Sequence, residues 1–158
     1  MVLIDTIVPL LKQTPTNPDG VAVAVLDTFR SNVIKDRSQF FIDVPTGPFF
    51  GFNRPGAKVN QGLIDAWWLA GMQAGVKATH DTTYSWEVDY TEDLKALDIP
   101  VLFIHGDDDQ IVPIGASALV GIKIAKHGQI KIYPGGAHAL PNLEVDGINN
   151  DLLEFIKG

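Results

Sequence analysis

Cysteine is absent from the 158-residue sequence, which removes disulfides, thiolate nucleophiles and cysteine-ligated zinc together. Positive charge is scarce: 12 Lys and Arg stand against 19 Asp and Glu, a formal net charge of −7. Phosphate binding needs clustered basic residues, and the chain has no basic stripe, so no nucleic-acid partner is expected. No wholly apolar run approaches the ~20 residues of a membrane helix, and Asp5 interrupts the N-terminal apolar segment. That segment also lacks a basic lead-in and a small-residue cleavage site, so it does not read as a signal peptide. A cytoplasmic protein with no membrane partner is expected. The histidines, at 80, 105, 127 and 138, have no metal-ligand spacing. Asp107-Asp108-Asp109 lacks the alternating ligands and turn glycine of a calcium loop, and Gly51, Gly56, Gly62 and Gly71 do not follow a strand as a phosphate loop would. No metal and no cofactor is indicated.

What is present suits one folded domain. Of the residues, 46% are hydrophobic and 20% charged, an ordinary globular balance in a chain long enough to bury a core. Val2 to Val8 reads as a buried strand with no polar lead-in; buried strands normally lie inside a parallel sheet, which suggests that earlier chain is missing. Pro15, Asn17, Pro18, Asp19 and Gly20 mark a loop. From Asp19 as N-cap, Val21, Val25, Leu26, Phe29, Val33 and Ile34 recur at helical spacing. Ser38 to Asp43 reads as a short helix stopped by Pro45, Gly47 and Pro48. Phe49-Phe50-Gly51-Phe52 is an aromatic loop, either covered core or the wall of an apolar pocket. Val59 to Met72, with Trp67 and Trp68, and Ala74 to Thr83 both read as helical. Residues 16–88 thus form a helical block between the strand and loop of 1–15 and the remainder, 89–158.

In that remainder the pattern changes. Thr91 to Leu97 is a helical turn leading into the apolar run from Ile99 to Ile104, where Pro100 is tolerated at the strand start. Pro113 is placed to open a helix carrying Ile114, Ala118, Ile122 and Ala125, which ends near Gly128. Gln129 to Tyr133 alternates as a strand does. A last helix carries Val145, Ile148, Leu152 and Ile156. Strand, helix, strand, helix with short connections is a βαβα unit with adjacent parallel strands, so the fold class is α/β. Asp109 follows one strand and His138 the next, and loops beyond the carboxyl ends of parallel strands are where ligands bind in such sheets. A carboxylate bonded to one imidazole nitrogen fixes the tautomer and stabilises the imidazolium formed when the other nitrogen takes a proton.

The run Asp98-Ile99-Pro100-Val101-Leu102-Phe103-Ile104-His105-Gly106-Asp107-Asp108-Asp109-Gln110-Ile111-Val112-Pro113, followed by Gly136-Ala137-His138, closely resembles the C-terminal half of the α/β-hydrolases. It is most similar to the cofactor-free (non-haem) chloroperoxidase and aryl esterase group, and the resemblance covers nearly the whole chain. It implies parallel strands with flanking helices, residues 16–88 as a helical cap, Asp109 as the acid of a catalytic triad and His138 as its general base. Asp107 and Asp108 then cap or solvate the loop, and His105 is a structural strand-end histidine. Ile111 and Val112 border the substrate pocket by the same resemblance, with Phe49, Phe50, Trp67 and Trp68 as cap residues over it. Ala139 and Pro141-Asn142-Leu143 depart from the usual residues after the histidine.

The family's nucleophile is a serine in a Gly-x-Ser-x-Gly elbow, and none of Ser31, Ser38, Ser85 and Ser117 occupies one. In the family's order of serine, acid, histidine, the nucleophile falls before residue 1. The implied activity is acyl transfer from small esters or carboxylic acids to water or hydrogen peroxide, completed by an N-terminal hydrolase half or by self-association. The alternative is a non-catalytic interaction module derived from the same fold.

Overall fold

The computed structural model describes residues 1–158. Three parallel strands, β1 (Val2–Ile4), β2 (Val101–Gly106) and β3 (Gly128–Tyr133), form one sheet in the order β1-β2-β3. The α/β class and the adjacent parallel pairing of β2 with β3 agree with the sequence reading. β2 lies at the centre, and all six of its residues are buried. Its two-residue period divides the core into two layers. Val101 and Phe103 face Leu94, Ala118 and Ile122 on one side; Leu102 and Ile104 face Leu140, Ile148, Leu152 and Phe155 on the other.

Helices α5 (Thr91–Ala96) and α6 (Ala118–Ile124) cover the first layer, whereas α7 (Leu140–Leu143) and α8 (Val145–Lys157) cover the second. Between β1 and α5 lie α1 (Val23–Lys35), α2 (Arg37–Val44), α3 (Gln61–Gln73) and α4 (Val76–Thr82). Here Val33, Phe40 and Phe41 pack with Phe29, Val44, Trp67, Trp68 and Met72 as a separate apolar cluster. No helix is long and apolar enough to cross a membrane.

Several local expectations are corrected. The strand-like run from Val2 stops at Ile4, because Asp5 adopts φ 46°, a left-handed conformation that ends strand pairing. β1 is an edge strand and only partly buried. Ala22, not Asp19, precedes α1, since Val21 is still engaged with Leu11 and Gln13 through backbone hydrogen bonds. On α1 the buried positions are Leu26, Arg30 and Val33, while Val25 and Ile34 are exposed. Arg30 is accommodated because its guanidinium meets Glu87 at 2.5 Å, Asp27 at 2.7 Å and the Thr83 hydroxyl at 3.0 Å. Pro113 opens a series of turns rather than a helix, and α6 begins at Ala118 after Ser117 hydrogen-bonds back to the Pro113 carbonyl. In α8, Val145 and Ile156 face outward and Phe155 takes the buried role.

Candidate active site

The buried run of β2 ends at Gly106, and the chain turns at once through Asp107, Asp108 and Asp109. One oxygen of Asp109, Oδ1, accepts the backbone N–H groups of Ile111 (2.9 Å) and Val112 (2.8 Å), folding the acid loop around its own side chain. The other oxygen, Oδ2, meets His138 Nδ1 at 2.8 Å and His105 Nε2 at 3.3 Å. Both oxygens are therefore occupied by donors while the carboxylate is buried. Burial alone raises such a carboxyl, but the hydrogen bonds from His105, His138 and the Val112 N–H, with the His138 charge, hold it well below the usual carboxylate range.

His138 arrives from β3 by way of Gly135-Gly136. A Cβ on Gly106 would lie 2.2 Å from the Gly136 carbonyl oxygen, so the two loops approach backbone to backbone, and only glycine fits at Gly106. The Asp107 carboxylate accepts the Gly135 N–H at 2.6 Å, a loop-capping contact of the kind expected for this residue. His105, fully buried, reaches the Val112 carbonyl at 2.9 Å through Nε2. Burial opposes its charge, but the acceptors Asp109 and Val112 and the nearby carboxylates outweigh that and shift its imidazole up.

Nδ1 makes the hydrogen bond of the His138 ring, and the ring borders a cavity of about 460 Å³, the size range of small-molecule sites. Of the six wall residues named from the sequence, Phe49, Trp67, Ile111 and Val112 line this cavity. Phe49 stands edge-on to the imidazole, with ring centres 5.0 Å apart. Phe50 and Trp68 lie elsewhere. Phe50 is buried against Phe49 and Phe52, and the Trp68 indole N–H donates to Ser38 at 3.2 Å. Adjacent aromatics on a turn or helix point in different directions, so only one of each pair faces inward.

Sequence reasoning missed other wall residues: Phe29, Trp86, Gln110 and Asp5. Asp5 is the least expected. It is buried, and its Oδ2 accepts the Leu140 N–H at 3.1 Å while Oδ1 has no partner. Burial pushes its carboxyl up to about 6, with neighbouring Asp109 adding to the rise and Leu140, His138 and His105 opposing it. Its position after an apolar strand was the one available signal. Asp5, His105 and Asp109 offer ligand atoms within 4.8 Å of one another, but Asp109 is already saturated by protein donors and is a poor fit for a metal ion.

A parallel sheet with an acid and a histidine hydrogen-bonded beyond the ends of consecutive strands defines part of an α/β-hydrolase. Residues 76–145 match the family model described as serine aminopeptidase, S33. The chain is 46% identical over 157 residues to a non-heme haloperoxidase of Rhodococcus erythropolis, covering 99% of this chain and 57% of that protein. It is 45% identical to a bifunctional esterase/perhydrolase of Acinetobacter calcoaceticus, with the same coverage. The bromoperoxidase structure from Bacillus anthracis superimposes with a TM-score of 0.91 at 29% identity, over 99% of this chain and 57% of that one. The fold is that of part of an α/β-hydrolase, and the chain is similar to the non-haem haloperoxidase and esterase/perhydrolase group, spanning about 57% of the length of these relatives.

Proposed function

We propose that this chain supplies the acid and base of a serine-dependent acyl transfer, with Asp109 orienting His138 and with the nucleophile contributed by polypeptide outside these residues. The observation that carries this reading is the 2.8 Å Asp109–His138 hydrogen bond at the wall of an apolar cavity. The Asp109 carboxylate fixes the Nδ1–H tautomer, leaving Nε2 to act as base. A serine hydroxyl attacks a small ester, its proton passes to Nε2, and the alcohol leaves with that proton. Water or hydrogen peroxide then attacks the acyl-enzyme and gives its proton to the same nitrogen, releasing acid or peracid and regenerating the serine. Phe49, Trp67, Ile111 and Val112 provide the apolar surface for the acyl group. The names of the similar proteins, a bifunctional esterase/perhydrolase and a non-heme haloperoxidase, support this class of chemistry.

The test is hydrolysis of p-nitrophenyl acetate by the chain alone and by the chain co-expressed with an N-terminal hydrolase half carrying Gly-x-Ser-x-Gly. The chain alone is expected to show background rates, and the pair a rate that disappears with His138→Ala. Ordinary esterase rates from the chain alone, lost in His138→Ala, would overturn the split arrangement. A second reading, a non-catalytic module, is favoured by β1, which pairs with β2 on one side and leaves its other edge available to another chain. No His138-dependent turnover in the completed pair, together with a stable self-associated species in solution, would favour that reading.

A further inference from the structure

Asp109 and His138 sit on loops leaving different strands, and the last paired residues beneath them are Gly106 and Tyr133. Beside the hydrogen bond from the Gly135 N–H to the Asp107 carboxylate, a second tie between the loops comes from outside the sheet. Arg54, in the turn after Phe49, donates through Nη1 to the Gly135 carbonyl at 2.7 Å and through Nη2 to the Asp108 carbonyl at 2.6 Å. Nη2 also pairs with the Asp108 carboxylate at 2.7 Å. One planar guanidinium thus joins the residue before Asp109 to the loop that carries His138.

The segment around Arg54 is shaped for this contact. Asn53 exchanges amide hydrogen bonds with Gln110, the residue after Asp109, at 2.9 and 3.4 Å. Gly51 has φ +69°, and a Cβ there would lie 2.9 Å from the Arg54 guanidinium carbon, so both the backbone and the seated side chain require glycine. Arg54 Nε is buried without an acceptor, so the two terminal nitrogens hold the side chain in place despite a stranded donor. A lysine has no rigid fork and reaches such carbonyls only as a single charge.

We propose that Arg54 is a positioning residue whose guanidinium clamps the acid loop to the histidine loop and so holds the Asp109–His138 hydrogen bond, making the helical segment a structural partner in proton transfer. Its consequence for chemistry rests on the acyl-transfer reading, but its test reads the hydrogen bond itself, so a failure of that reading leaves the test standing. A displacement of one ångström takes a 2.8 Å bond out of hydrogen-bonding range.

In the whole 15N-labelled chain, the His138 Nδ1 proton is followed by NMR as a low-field signal that broadens away when the bond opens to water. Arg54→Ala is expected to broaden that signal beyond detection and to speed amide exchange at Gly135 at least tenfold, while the amides of Leu102 to Ile104 keep their protection. Arg54→Lys is expected to give an intermediate signal. Arg37→Ala is the control, because Arg37 makes similar contacts to the Ala74 and Met72 carbonyls away from the site; the His138 signal is expected to persist in it. A signal unchanged in Arg54→Ala, or lost equally in Arg37→Ala, overturns the proposal. If Arg54→Ala also loses strand protection, Arg54→Lys decides. A weakened signal over an intact sheet supports the clamp, and a signal as sharp as the wild type's refutes it.

Discussion

Replacing Asp5 by asparagine is expected to stabilise the protein at neutral pH, although it removes a charge beside the histidine. The Asp5 carboxyl is pushed up from 3.8 to about 6 in the folded chain. At about 1.4 kcal/mol per tenfold change in the proton equilibrium, ionised Asp5 costs the fold about 3 kcal/mol at pH 7.5. Asparagine keeps an oxygen for the Leu140 N–H but places an amide where Oδ1 has no partner, which returns about 1 kcal/mol. The expected net gain is about 2 kcal/mol at pH 7.5. Its sign follows from proton counting. Between about pH 4 and 6 the folded aspartate holds a proton that the unfolded one has released, so wild-type stability falls across that window as pH rises, and the asparagine form escapes the fall. Urea unfolding of both forms from pH 4 to 8, followed by tryptophan fluorescence, measures this. An advantage independent of pH, or absent at pH 7.5, would refute the assignment of Asp5 as a strained, buried acid.

Three further outcomes follow from the same geometry. Asp109 behaves oppositely to Asp5: its depressed carboxyl contributes stability that is complete above about pH 5 and lost as pH falls below about 4, so Asp109→Asn should flatten the acid limb of the unfolding curve while costing about 3 kcal/mol at pH 7. Glu87→Gln leaves the buried Arg30 short of a partner and is expected to lower the urea unfolding free energy by about 2 kcal/mol, the partial exposure of Glu87 having reduced the figure. Gly106→Ala forces a methyl against the Gly136 carbonyl and should cost about 3 kcal/mol and weaken the His138 Nδ1 signal; an alanine form with wild-type stability and signal would show that the loops yield freely.

The sheet and its two loops were legible because their signals are local. Val101 to Ile104 is an apolar run ending in charge, and Gln129 to Tyr133 alternates. The less visible features depend on contacts between distant residues. Asp5 meets Leu140, and Arg54 meets Asp108 and Gly135, largely through backbone groups that carry no residue-type signature. Arg30 sits on an apolar helix face because Glu87 is brought to it by the fold. Phe49 and Phe50 differ in role although they are adjacent, since the turn sets which ring faces the cavity.

The register of the sheet also orders assembly. β2 and β3 join Val101 to Gly128, whereas β1 and β2 join Val2 to Leu102 across the entire helical segment. Closing the shorter loop loses less chain entropy, so the β2–α6–β3 unit is expected to gain amide protection before β1 docks in pulse-labelled refolding. The acid and histidine loops belong to that early unit, while Asp5 and the cavity's aromatic wall come from the late one. The Asp109–His138 pair is therefore expected to form before the chamber it faces, and lesions in the helical segment should slow completion of the cavity more than formation of the strand pair beneath it.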